Sequence, residues 1–242
     1  MVLSFSRRTF VDRALALGAI ALSSRSLTAF AQSNPTSTIA SALRLGRRLR
    51  RGDITQIQWQ DSIGPLMQSL TADELSDAVG LEALRRRARQ VPRGMSMVPV
   101  PLLDTLDHDD GAAMRVFFFR AGRTDPPHCH FNSVTAHMVL SGRFRVRHWD
   151  RLREEPGRFV LRPTRDRRIG PGDLTSISEQ RENAHWHEAL TDGVLIDIEQ
   201  GRLDPSRPPR SRQMLDPTTP PRRDGTIVAP ALTVPQALRR FG

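Results

Sequence analysis

The sequence predicts a mainly β fold, short strands closing into a barrel or sandwich, with a helical segment ahead of it. Three observations predict this. The 242 residues include 18 Pro and 16 Gly and few long apolar runs, which favours short strands and turns over a helical bundle. The segment Arg143-Phe144-Arg145-Val146-Arg147-His148 alternates cleanly, putting three arginines on one face of a strand and Phe, Val and His on the other. Turn signals at Ser141-Gly142 and at Gly170-Pro171-Gly172-Asp173 punctuate the stretch from Met97 to Gly201 at strand-like intervals.

In chain order, residues 1–31 read as an address. Ser6-Arg7-Arg8-Thr9-Phe10-Val11 resembles the twin-arginine export signal, Ala14 to Leu22 supplies an apolar middle, and Ala29-Phe30-Ala31 offers small residues for cleavage before Gln32. The apolar run at 11–22 is too short to span a bilayer. The expectation is a periplasmic or secreted protein, a partner of the twin-arginine export machinery, with no membrane span once the signal is removed. Twin-arginine substrates cross the membrane folded, often with a cofactor installed, and a metal site filled in the cytoplasm fits that route.

Residues 32–95 read as a linker (32–38) and then two or three short helices, from Ile39 to about Ala88, packing on the barrel. Thr71 and Glu74 have capping-box spacing, with Leu75 and Val79 on one face and Gly80 as a stop. The barrel itself is expected over 96–201. Met114 to Arg120, with three consecutive Phe, reads as a strand buried on both faces, and Val194 to Ile198 as another. Residues 202–242 read as a Pro/Arg-rich tail, parts of which lie along the barrel through Leu215, Ile227, Val228 and Leu232.

The formal charge is +10. The export segment holds Arg7, Arg8, Arg13 and Arg25 against Asp12, or +3, which leaves +7 for the mature chain. Every basic residue is Arg, in scattered clusters rather than one stripe, so the charge reads as compositional and no nucleic-acid partner is expected. Cys129 is the only cysteine, so core packing and not an internal disulfide must hold the fold.

The chemistry lies in the histidines. Residues two apart on a strand face the same way, so His128 and His130 project together while Cys129 points away as a packing residue. Two imidazoles so placed are half of a metal site. A second cluster, Asn183-Ala184-His185-Trp186-His187, follows about 55 residues later.

The spacing from His128 and His130 to Gly142 matches the first motif of the cupins, and the Asn183–His187 cluster stands where cupins take their last metal histidine. The chain is therefore similar to the cupin superfamily, which implies a double-stranded β-helix, or jelly-roll, barrel holding one divalent ion through His128, His130 and His185. Cupins commonly add a Glu ligand after four intervening residues; here that position is Thr135. In this the chain looks more like the three-histidine thiol dioxygenases, the plant cysteine oxidase and aminoethanethiol dioxygenase branch. Leu140-Ser141-Gly142, Arg147-His148-Trp149-Asp150, Asn183-x-His185 and the run from Ala189-Leu190-Thr191 to Leu195-Ile196-Asp197 carry that resemblance. Offsets to Ala189, Thr191 and Asp197 select His185 over His187 as the matched ligand.

The resemblance implies Fe(II), with Zn, Mn or Ni as other candidates, and a small-molecule substrate such as a thiol or carboxylate. Three neutral imidazoles leave a divalent ion its full charge, which favours anionic co-ligands. Thr135, His137 and His187 are expected around the substrate pocket or behind the ligands, with His137 also a candidate fourth ligand. His148, at a strand end, and His108, in the Asp107–Asp110 loop, read as solvated. The absence of Tyr removes the active-site tyrosine of animal cysteine dioxygenases, and export is unusual for an enzyme of ferrous iron and thiols. Two functions stay open: a non-haem iron thiol dioxygenase, and a non-catalytic metal- or small-molecule-binding cupin of the cell envelope.

Overall fold

The computed structural model describes residues 34–101, 111–207 and 212–242. The stretch read as an export signal, residues 1–31, and His108 lie outside the described residues. Among the described residues four helices come first: α1 (Pro35–Arg50), α2 (Gln56–Met67), α3 (Ala72–Ala78) and α4 (Leu81–Arg87). This is more helix than the two or three short ones expected. α1 begins inside the stretch read as a linker, because Pro35 lacks an N–H that the first turn does not need. It buries Ile39, Ala42, Leu43, Gly46 and Leu49 at helical spacing. The capping box of Thr71 and Glu74 forms as read, and a second one, Thr55 with Gln58, starts α2.

Eleven strands follow among the described residues: β1 (Ser96–Pro99), β2 (Ala112–Phe119), β3 (Thr124–His130), β4 (Val134–Ser141), β5 (Phe144–Glu155), β6 (Arg158–Ile169), β7 (Leu174–Ile177), β8 (Ala184–Ala189), β9 (Gly193–Gln200), β10 (Arg212–Leu215) and β11 (Ile227–Leu232). A last helix, α5, spans Val234–Phe241. They form a five-stranded sheet, β1-β2-β9-β4-β7, and a closed six-stranded barrel, β10-β11-β6-β5-β8-β3. The predicted class, mainly β with helices ahead of a barrel, is the one observed.

The hairpin turn at Ser141-Gly142 requires its glycine. Gly142 has φ of 81°, and a Cβ there would meet the Asp192 carbonyl oxygen at 2.4 Å.

The carboxy-terminal segment departs most from the reading. It is not a tail laid on a finished barrel: β10 pairs with both β3 and β11, so residues after 201 close the barrel. Segments of four and six residues flanked by Pro and Arg carry too few alternations to be read as strands.

The helices bury Trp59, Ile63, Met67, Leu75 and Leu84 in one cluster with alternate residues of β4 (Val134, Ala136, Met138, Leu140) and β9 (Val194, Ile196, Ile198). The intervening residues of those strands turn the other way, toward the barrel. That period of two decides which side chains meet between the two sheets.

Candidate metal centre

The inward rows of the strands change from apolar to polar along their length. On β2 the order is Phe119, Phe117, Arg115; on β4 it is Val139, His137, Thr135; on β9 it is Leu195, Asp197, Glu199. Across the gap, β5 offers Phe144, Val146, His148 and β8 offers Ala189, His187, His185. The apolar ends pack as one cluster that includes Phe117, Val139, Phe144 and Leu195. Six of the seven histidines lie on this floor and beyond it.

The three predicted ligands converge. His128 Nε2 and His130 Nε2 are 2.9 Å apart, and the ligand atoms of His128, His130 and His185 all lie within 4.8 Å of one another. With metal–nitrogen bonds of about 2.0–2.1 Å, two nitrogens on one ion stand roughly 2.9 Å apart at a right angle and roughly 3.4 Å apart at the tetrahedral angle. The His128–His130 spacing matches the first. His128 Nδ1 donates to the Pro126 carbonyl at 2.8 Å, which leaves its Nε2 unprotonated and turned to the cluster. Cys129 points the other way, into a cluster with Phe131, Trp149 and Leu161.

Burial holds the histidines in the neutral form that binds metal. It pushes His128 down from the ordinary histidine range, against the opposing pull of Asp125. His130 and His185 are pushed well down, by burial first and by the charge of neighbouring histidines second. Both nitrogens of His185 are buried without a hydrogen-bond partner. Such atoms are costly unless something binds them, and the donor set suits a divalent transition metal. The residues therefore fit the implied ion.

His137 and His187, expected near the pocket, form a second cluster with His185, again with ligand atoms within 4.8 Å of one another. Thr135, on the same face of β4 as His137, donates its hydroxyl to Asp197 Oδ1 in a short hydrogen bond. Asp197 also accepts from Arg115 Nη1 at 2.8 Å. Burial first, then the Glu199 carboxylate, raises the Asp197 carboxyl above the usual range, against the pull of Arg115.

Two residues correct the sequence reading. His148 is not solvated: it is fully buried, and its Nδ1 donates to Glu182 Oε2 at 3.0 Å. Burial, which would raise Glu182, is outweighed by His148 and Arg165, which together hold that carboxyl down at about 2. His148 lies mid-strand in β5, opposite His185, because β5 runs on to Glu155 past the expected strand end.

The other residue is Asp125, which the sequence reading missed. Its carboxylate is buried, with Oδ2 at 4.0 Å from His185 Nε2 and Oδ1 at 3.9 Å from His128 Nδ1. Strict alternation puts residues 125 and 128 on opposite faces. A register shift between them on β3, at Pro126-Pro127, brings both to the same side. The Pro-Pro pair was the available signal. The triad is thus not wholly free of carboxylate charge nearby.

No protein-family model matches the chain, and no curated protein matches it. Among solved structures it is similar to KdgF from Halomonas sp., at 22% identity over 48% of this chain and 87% of that one, with a TM-score of 0.35. A recombinant oxalate oxidase in complex with glycolate matches at 22% identity over 48% of this chain, with a TM-score of 0.36. The matched region spans 55% of the oxidase's own length. An RmlC-like cupin from Shewanella frigidimarina matches at 16% identity over 47% of this chain and 82% of that one, with a TM-score of 0.35. The fold assignment rests on the strand pairings of this chain. It is a closed six-stranded barrel beside a five-stranded sheet.

Proposed function

We propose that the chain is an exported, metal-dependent cupin that oxidises a small thiol with dioxygen. The observation that carries this reading is the convergence of three neutral histidines, buried His128 and His185 and partly exposed His130; Thr135 stands where the sequence resemblance would put a carboxylate ligand. Those three residues would hold Fe(II), which supplies Lewis acidity toward a thiol and one-electron chemistry toward dioxygen.

The chain's own groups do the rest. Pro126 orients the His128 ring through Nδ1, and Ser133 Oγ sits 3.3 Å from His130 Nδ1. Asp125, buried beside His128 and His185, is placed to take the proton a thiol gives up on binding as thiolate. Of the three ligands only His130 is partly exposed, so approach from solvent is from its side. The balanced reaction is thiol plus dioxygen giving a sulfinic acid, both oxygen atoms ending on sulfur. The export signal at 1–31 makes the periplasm the place of action.

A second reading, a metal-binding cupin of the cell envelope without catalysis, is favoured by Asp125 itself: a carboxylate this close can occupy a position that substrate needs. A groove of about 450 Å³ lined by Arg85, Arg89, Arg120 and Arg123 does not include the histidines. Anaerobic loading of the metal-stripped chain with Fe(II), then cysteine or cysteamine with oxygen, separates the readings. Thiol-dependent oxygen uptake with sulfinate formation is expected. Stoichiometric iron with no thiol-induced change in absorption and no oxygen uptake would leave the binding protein.

A further inference from the structure

We propose that His137, His185 and His187 form a second metal site, so that the barrel holds two divalent ions with the His185 ring between them. These three side chains are at most 3% exposed, and their ligand atoms lie within 4.8 Å of one another. Ring centroids stand 4.6 Å apart for His137–His187, 5.1 Å for His185–His187 and 5.2 Å for His137–His185. The first triad spans 4.2–5.2 Å by the same measure, so the two sets are equally compact.

The nitrogens are available. His137 Nδ1 and both nitrogens of His187 are buried without partners. Leaving such atoms unbound in a dry interior is costly, and five buried imidazoles with the partly exposed His130 exceed what one ion can use. His137 also has the support typical of a ligand: its Nε2 faces Asp197 Oδ1 at 3.5 Å, which turns Nδ1 to the cluster. Three imidazoles and no carboxylate select a nitrogen-preferring ion such as Zn(II), Cu(II) or Co(II) over Mg(II) or Ca(II).

His185 belongs to both triads and both of its nitrogens are unpartnered, so one nitrogen is assigned to each ion. Binding of the second ion therefore displaces the remaining ring proton of His185, one proton released to solvent for one metal–nitrogen bond formed. The strand registers place His137 and His187 one step nearer the apolar floor than His128 and His185, so the second ion is the inner one.

The test uses the full chain, stripped by chelator and titrated with Co(II), with cobalt measured after gel filtration and visible absorption recorded. Two Co(II) per chain are expected. The double variants His128→Ala/His130→Ala and His137→Ala/His187→Ala should each keep one, with distinguishable spectra, provided circular dichroism shows them folded. Wild-type protein that saturates at one Co(II) overturns the proposal without any variant. So does a folded His128→Ala/His130→Ala protein that binds none.

Discussion

The His128 and His130 rings point their Nε2 atoms at a common space 2.9 Å apart, although Cys129 between them is in a different core. With His128 Nδ1 committed to Pro126, that spacing needs a proton or a cation to be comfortable. Removing either ring would delete one of the three proposed ligands. His128→Ala or His130→Ala should lower affinity for Zn(II) or Fe(II) at the outer site at least 100-fold, whereas Cys129→Ala should leave it unchanged, as measured by competition with a chromophoric chelator.

Thr135→Glu tests the fourth position. The new carboxylate would sit buried beside Asp197 and Glu199, already two acids sharing one arginine, Arg115. The metal-free variant should lose on the order of 3 kcal/mol of stability, since a buried charge lacks a partner. Metal should restore much of that loss, and the thiol-induced absorption change should weaken. Denaturant melts with and without Fe(II) or Zn(II) read both effects.

The buried histidines set the acid response of the metal-free chain. His137, His185 and His187 are held well below 6.5, so the unfolded chain takes up protons there that the folded one does not. Stability should fall as pH drops below 6.5, by up to about 1.4 kcal/mol per pH unit for each such histidine. Glu182 acts lower: its contribution is intact above 4.5 and fades only as pH falls toward about 2. The stability gap between wild type and Glu182→Gln should therefore stay constant above pH 4.5 and close below it. For this partly solvated carboxylate the gap should be on the order of 1–2 kcal/mol.

The proposed export rests on Arg7 and Arg8. The Arg7→Lys/Arg8→Lys chain should accumulate as precursor in the cytoplasm, and cell fractionation with an antibody to the chain reads this directly. Unchanged periplasmic yield would remove the assignment.

What could be read from the sequence was what obeys a period. Phe144, Val146 and His148 share a face because β5 is regular there, and the capping box at Thr71 depends only on local spacing. Asp125 was hidden because Pro126-Pro127 breaks the alternation that would have revealed it. The inward meeting of His137 with His185 and His187 joins residues from two different sheets, a contact that no single strand's pattern contains. His148 was misplaced by ending its strand too early.

Barrel closure by β10 also imposes an order on synthesis. Arg212, Gln213 and Met214 are the edge partners of His130, Cys129 and His128, so the strand bearing two ligands has no neighbour on that side until residues far beyond it have left the ribosome. Metal capture at the proposed site would then wait until β10 has been made. A nonsense codon between residues 188 and 211 would yield a protein with all seven histidines and no completed barrel to hold them.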